Sequence, residues 1–355
     1  MMQVGIVNDL RVVSEVLRRI VADTPGFSVA WVAYDGESAV EQYAAKPADI
    51  VLMDLIMPGM DGAQTTEAMM KIRPCAILVV TATVVGNREL VYAAMGKGAL
   101  DAVNTPDAKS QESVAELRRK LTTVSRLVAS ANKHPAAQPT GPFARPSSVT
   151  GLRTAGDERT PALIGIGAST GGPQAIATIL RGLPLNLNAA IVIVQHLDRQ
   201  FVPGLERWLQ RESKLPIRLA ADEEPIHRGG VWLADSEHHL TVRSASGGTM
   251  RIQYTDKPAD TPNKPSVDVF FESLAALRGV HRCGVLLTGM GADGAEGLLS
   301  LQRVGAPTFA QDAESCVVYG MPAMALKLGA VKHSTKLADM SLRLMEFAGQ
   351  PVTNS

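Results

Sequence analysis

Short apolar runs alternate with amphipathic stretches over roughly the first 125 residues. Residues 4–7, 28–33, 50–53 and 76–80 read as strands, the third leading into Asp54 and the fourth into Thr81. Residues 12–21 and 37–45 carry apolar side chains at helical spacing. A fifth short strand falls near 102–103, ahead of Pro106, and a last helix is predicted from about 110 to 129. Such alternation predicts a parallel sheet with helices on both faces.

The pattern stops between 132 and 160, where proline, serine and polar residues follow one another without periodicity, as in an interdomain linker. A second α/β pattern starts near Leu163 and continues to about Gly349, with core strands at 163–167, 190–194 and 285–287. The expected organisation is therefore a domain over 1–125, a linker over 126–160 and a second domain over 161–349. A length of 355 residues suits two domains.

Composition narrows the function classes. Hydrophobic residues make up 46%, enough for buried cores. Lys+Arg and Asp+Glu both number 35, which argues against a dedicated nucleic-acid binder. Cys75, Cys283 and Cys316 are dispersed and form no C-x-x-C pair, so reduced thiols are expected rather than a zinc site or redox dithiol. The N-terminus has no basic segment followed by a long apolar stretch, and no apolar run approaches the ~18–20 residues that span a bilayer. The protein is expected to be cytoplasmic, without membrane insertion.

Ligands of doubly wound sheets bind beyond the carboxyl ends of the strands. There the first strand presents Asn8-Asp9, the third Asp54 and the fourth Thr81. Each acid alone is more often a helix cap. Together they can hold Mg²⁺ through oxygen ligands, neutralise an incoming phosphoryl group and leave one carboxylate as nucleophile.

In the second half, Gly165-Ile166-Gly167-Ala168-Ser169-Thr170-Gly171-Gly172-Pro173 follows a strand and precedes a helix. It admits three readings: a dinucleotide phosphate turn, a nucleophile elbow at Gly167-x-Ser169-x-Gly171, or a tight packing turn. A dinucleotide site wants an acid at the end of the next strand. That strand ends instead at Gln195-His196, which offers a base beside a strand-end serine. Residues 288–295 follow another buried strand; Asp293 there is either the acid that orients His196 or an N-cap. The surrounding glycines could expose the Met290 amide as an oxyanion donor. The chain order Ser, His, Asp departs from α/β-hydrolases, in which the acid precedes the histidine.

Two resemblances follow from these residues. The segment Asp54-Leu55-Ile56-Met57-Pro58-Gly59-Met60-Asp61-Gly62 resembles the phosphorylation loop of response-regulator receiver domains, over roughly residues 1–125. This implies a flavodoxin-like fold. It also implies Mg²⁺ at Asp9, Asp54 and the Ile56 carbonyl, with the Asn8 amide oxygen as a further ligand. Asp54 would take the phosphoryl group from a histidine kinase, and Thr81 would contact the phosphate. The sequence departs from the family at Asn8 (usually acidic), at Thr105-Pro106 (usually Lys-Pro) and at Ala102 (usually an aromatic switch residue).

From about 162 to 348 the chain resembles the catalytic domain of the chemotaxis protein-glutamate methylesterase, CheB. The matching segments are Gly167–Gly172, Gln195-His196, 265–269, 288–295, Ala310-Gln311-Asp312 and 315–322. The resemblance implies a doubly wound parallel-sheet α/β esterase that needs no cofactor. Ser169 would be the nucleophile, His196 the base and Asp293 the orienting acid, with Met290 as oxyanion donor and Thr170 as a supporting partner. Residues 265–269 would be structural or substrate-facing rather than catalytic. The implied reaction is hydrolysis of γ-glutamyl methyl esters on methyl-accepting chemoreceptors, together with glutamine deamidation, under control of receiver phosphorylation. Asn8-Asp9 and Asn104-Thr105-Pro106 also resemble the Wsp-type surface-sensing subgroup. The competing class is a phospho-regulated receptor-binding protein with an idle effector domain. The charge balance disfavours a DNA-binding regulator, and His196 disfavours an NAD enzyme.

Overall fold

A computed structural model describes residues 1–82, 88–131, 161–197, 199–235, 237–245, 248–261 and 263–350. The chain divides into two compact units, Met1–Lys133 and His134–Ser355.

The first unit runs β1 (Met2–Val7), α1 (Arg11–Ala22), β2 (Phe27–Ala33), α2 (Gly36–Ala45), β3 (Ile50–Met53), α3 (Gly62–Ile72), β4 (Ala76–Thr81), α4 (Arg88–Gly96), β5 (Asp101–Asn104) and α5 (Gln111–Ala131). Its strands form a parallel sheet in the order β2-β1-β3-β4-β5. Every residue of β3 and β4 is buried, as central strands covered on both faces require. Val4, Ile6, Leu52, Leu78, Leu117 and Leu121 meet in the core. Local chemistry starts α2 close to the predicted 37–45 and starts α3, which the sequence pattern did not single out. Asp35 accepts from the Ser38 amide to cap α2, and Asp61 and Gln64 form a reciprocal capping box on α3. Helix α5 continues to Ala131, past the expected domain end at 125. The rest of the expected linker, 132–160, lies outside the described residues.

The second unit opens with β6 (Ala162–Ala168), α6 (Gly172–Arg181), β7 (Ala189–Gln195), α7 (Val202–Glu212), β8 (Ile217–Leu219), β9 (Pro225–Ile226) and β10 (Val231–Leu233). It continues with β11 (His239–Ser244), β12 (Met250–Thr255), α8 (Val267–Ala276), β13 (Arg282–Leu286), α9 (Ala295–Arg303), β14 (Thr308–Ala310), α10 (Met321–Lys327) and α11 (Leu337–Phe347). The main sheet is parallel in the order β14-β13-β6-β7-β10-β8, and a small antiparallel sheet, β11-β12-β9, accompanies it. The antiparallel sheet was not anticipated from the sequence.

Trp232, Phe270, Phe271, Leu274 and Leu298 fill the core. The spacing of Gly165 and Gly167 has a packing cause. A Cβ on Gly167 would lie 2.2 Å from Val267 Cγ1, and one on Gly165 would lie 2.4 Å from Leu274 Cδ1. These glycines let α8 press against β6, which brings the N-terminus of α8 to the end of the sheet where β6 terminates. Among the described residues no helix is long and apolar enough to cross a membrane, and Cys75, Cys283 and Cys316 are unpaired by disulfide.

Candidate active site

Three adjacent strands deliver the predicted triad. The β6–β7 ladder ends with Ala168 paired to Gln195, and the His196 amide donates to the Ala168 carbonyl at 2.9 Å. Ser169 and His196 therefore leave neighbouring strand ends side by side. The chain then turns at Gly171 (φ +79°) into α6, whose second residue is Pro173. Gly172 cannot be larger, because a Cβ there would sit 2.0 Å from Gln195 Oε1.

On the other side of β6, β13 feeds the loop that carries Asp293. The Ser169 amide donates to the Thr288 carbonyl at 3.0 Å. A Cβ on Gly289 would lie 2.7 Å from Ser169 Cβ and 2.1 Å from Met321 Sδ, so this loop passes directly beside Ser169. The loop is fixed from both sides. The Thr288 hydroxyl donates to the Thr170 carbonyl (3.0 Å) and accepts from the Val318 amide (2.8 Å), while the Thr288 amide donates to Gln311 Oε1 (2.9 Å).

His196 Nε2 meets Asp293 Oδ2 at 2.7 Å, with the two side chains only 13% and 10% exposed. The Asp293 carboxylate accepts three more hydrogen bonds, all from the start of α8: Ser266 Oγ (2.8 Å) and the Asp268 amide (3.0 Å) on Oδ1, and the Val267 amide (2.8 Å) on Oδ2. Burial pushes the Asp293 carboxyl up. The hydrogen bond and charge of His196, with the two amides, outweigh burial and hold it well below the usual carboxylate range. Asp268 responds in the opposite sense. It is pushed up to about 6 by burial, against the Gly297 amide that donates to it, and by the neighbouring Asp293.

With Nε2 engaged by Asp293, the other ring nitrogen of His196, Nδ1, is the atom left for a substrate proton. Among the described residues the Ser169 hydroxyl makes no hydrogen bond to His196; such contacts commonly tighten only when substrate is bound. The Met290 amide likewise has no hydrogen-bond partner among the described residues, and the Met290 side chain is exposed.

In the first unit, β1, β3 and β4 bring Asn8, Asp54 and Thr81 to one end of the sheet, all buried. Asp54 Oδ2 accepts from Asn8 Nδ2 (2.8 Å), and Oδ1 accepts from the Leu55 amide (2.7 Å). The Asn8 amide oxygen is taken by the Leu10 amide (2.9 Å). The Asp54 carboxyl is pushed up to about 6 by burial, against the amides of Leu55 and Ile56, with Asp9 adding to the rise. The Thr105 amide, where the receiver pattern has lysine, donates to the Thr81 carbonyl at 2.8 Å.

Among the described residues no three His, Cys, Asp or Glu side chains converge as a metal centre. A carboxylate raised by burial, with a neighbouring acid adding to the rise, is nevertheless relieved by a cation, and Asp9, Asp54 and the Ile56 carbonyl are hard oxygen donors of the kind Mg²⁺ takes. These residues fit Mg²⁺, with one acid fewer than the usual pattern.

Sequence reasoning placed Gln195 and residues 265–269 among the segments of the resemblance, but it gave Ser266 no contact with Asp293 and Gln195 none with Ser169. Ser266 opens an apolar run with Asp268 close behind, which is an N-cap signal, and it caps α8 by accepting from the Val269 amide. Nothing in its spacing from Asp293, 27 positions away, announces that contact.

Residues 164–344 match the family model described as CheB methylesterase, and residues 4–118 match that of the response regulator receiver domain. A Pseudomonas aeruginosa protein named protein-glutamate methylesterase/protein-glutamine glutaminase 3 is 43% identical over 97% of this chain and 99% of its own. A Burkholderia lata protein named protein-glutamate methylesterase/protein-glutamine glutaminase 1 is 45% identical over 98% and 99%. The Thermotoga maritima CheB methylesterase catalytic domain, solved as a crystal structure, superposes with a TM-score of 0.51 at 31% identity, covering 53% of this chain and 98% of that one.

Proposed function

The chain belongs to the CheB methylesterase family, and we propose that Ser169, His196 and Asp293 carry its reaction. It is a protein-glutamate methylesterase and protein-glutamine glutaminase with a receiver domain for phospho-regulation. Its substrates are glutamyl methyl esters of methyl-accepting chemoreceptors.

The observation that carries the residue assignment is the 2.7 Å contact of His196 with a carboxylate whose four acceptor positions are filled, beside a serine on the next strand end. Ser169 Oγ attacks the ester carbonyl while His196 Nδ1 takes its proton. The Asp293 carboxylate orients the ring through Nε2 and stabilises the imidazolium. The developing oxyanion is received by the Met290 amide, with Thr170 supporting the loop through its carbonyl. Collapse of the intermediate breaks the C–O bond, and His196 returns the proton to the departing methanol. Water then attacks the acyl-serine with His196 again as base, releasing glutamate and Ser169. A glutamine side chain follows the same course with ammonia as leaving group.

Phosphorylation of the receiver is Mg²⁺-dependent. We assign Asp54 as the acceptor of a phosphoryl group from a histidine kinase, and Thr81 as the hydroxyl that meets it. The bound cation would be held by Asp9, Asp54 and the Ile56 carbonyl, and it would screen charge between Asp54 and the incoming phosphate. Asn8 orients Asp54 through its amide group.

The test is release of tritiated methanol from methyl-labelled receptor by the full chain and by Ser169→Ala, each with and without a small phosphodonor and Mg²⁺. The expected result is release by the wild type, stimulated by the phosphodonor, none from Ser169→Ala, and release from Asp54→Ala that the phosphodonor does not stimulate. Equal release by Ser169→Ala would overturn the nucleophile. No release from any receptor would favour a receptor-binding regulator.

A further inference from the structure

Of the four groups that hold the Asp293 carboxylate, two are main-chain amides that any sequence would supply. Only His196 and Ser266 contribute side chains. On Oδ2 the His196 ring and the Val267 amide compete for one oxygen; on Oδ1 the Ser266 hydroxyl at 2.8 Å is backed by the longer 3.0 Å bond from Asp268.

We propose that Ser266 is a positioning residue for the triad acid, its hydroxyl fixing the rotation of the Asp293 carboxylate so that Oδ2 faces His196. The inference rests on the esterase reading above. Without the hydroxyl, Oδ1 keeps a single amide, and the carboxylate gains freedom to turn about its Cβ–Cγ bond, which swings Oδ2 away from the imidazole.

Ser266 is itself held on its far side. Its amide donates to His239 Nδ1 at 3.0 Å, and the opposite ring nitrogen of His239 meets the Pro258 carbonyl at 3.0 Å and Thr261 Oγ1 at 3.1 Å. His239 is fully buried and Ser266 is 2% exposed. Because Nδ1 accepts from an amide, the ring proton sits on Nε2, pointing at Pro258. A chain of hydrogen bonds thus runs from Pro258 through His239 and Ser266 to Asp293 and His196, linking the edge of the antiparallel sheet at β11 to the base.

Ser266 also caps α8, so loss of activity in Ser266→Ala alone would not separate the two roles. Glycine separates them: it is nearly as good an N-cap as serine, within a few tenths of a kcal/mol, yet has no hydroxyl to give. The experiment compares full-length Ser266→Ala, Ser266→Gly and Ser266→Thr for methanol release, with the low-field ring N–H resonance of His196 recorded by proton NMR on the same proteins.

The expected result is that Ala and Gly lower kcat alike, by roughly 10- to 100-fold, with KM unchanged, while Thr keeps kcat within a few-fold. The His196 resonance should persist in the wild type and Thr variant and broaden by exchange in Ala and Gly. A Ser266→Gly protein with wild-type kcat and an unchanged resonance would reduce Ser266 to a helix cap and overturn the proposal. If the esterase reading itself were wrong, the wild type would release no methanol from any receptor, and the resonance would still decide the role of Ser266.

Discussion

Gln195 donates from Nε2 to the main-chain carbonyl of Ser169 at 2.8 Å, so the strand that delivers His196 also grips the peptide group of Ser169. The same nitrogen donates to the His196 carbonyl at 2.9 Å. One buried amide therefore spans the two strand ends. Gln195→Met keeps the volume and removes the donor. The Ser169 carbonyl keeps the Gly172 amide (2.8 Å) while the His196 carbonyl loses this donor, so the change should cost about 1 kcal/mol in urea unfolding, and kcat should fall about tenfold as Ser169 and His196 loosen.

Asp293→Asn meets a geometric conflict. All four groups around the carboxylate donate or can donate, so an amide must turn its NH₂ against at least one amide N–H or the Ser266 hydroxyl. It also leaves His196 without the anion that fixes its tautomer. The expected loss in kcat is on the order of 10⁴, as in other triads that lose the acid, measured by methanol release.

Asp268 gives a pH dependence whose sign is set by its rise from 3.8 to about 6. The folded carboxyl binds its proton more tightly than the unfolded chain does. Stability from this group is therefore present at low pH and falls as pH climbs from about 4 to 6. Asp293, held low, works the other way, losing stability as pH drops below the usual carboxylate range. Asp268→Asn, whose amide oxygen can still accept from Gly297, should abolish the decline between pH 4 and 6. It should stabilise the C-terminal unit at pH 7 by at most about 3 kcal/mol, less because the carboxyl is partly solvated. Hydrogen exchange of the β7 amides across that pH range would read it.

Asn8→Asp restores the acid of the receiver pattern but removes the donor that Asp54 now has. The variant should be less stable than wild type without Mg²⁺, by about 1–2 kcal/mol, through carboxylate repulsion. It should bind Mg²⁺ about tenfold more tightly, since divalent affinity rises with ligand charge. Melting curves across a Mg²⁺ titration measure both.

What was legible in the sequence was whatever the local pattern controls. The continuous apolar runs of β3 and β7 marked themselves as central strands, and their last residues marked the chemistry. The neighbourhood of Ser169 and His196 followed because consecutive strands of this fold pair directly. Less was legible where contacts are long-range. Asp293 comes from β13, on the opposite side of β6, and its cradle comes from α8; no periodicity encodes either meeting. The Gly165-x-Gly167 spacing looked equally like a phosphate turn until Val267 and Leu274 showed what the missing side chains make room for. Strands β11 and β12 escaped notice although buried Leu240, Val242, Met250 and Ile252 alternate there with polar Thr241, Arg243, Arg251 and Gln253, the period-two pattern of a half-buried antiparallel strand.

Ser169 and His196 leave adjoining strand ends, and Asp293 sits in the loop that follows a third strand beside them; strands in a sheet sit about 4.8 Å apart with little freedom to slide. A machine bolted down in this way has only the last Ser169–His196 contact left to close when a substrate arrives. We expect the level of receptor methylation to be set by traffic, by how often an ester arrives and stays, rather than by building and dismantling the tool. Lesions in the mounting, at Gln195 or Ser266, should accordingly slow the phosphorylated and unphosphorylated enzyme by the same factor and leave the ratio between them intact.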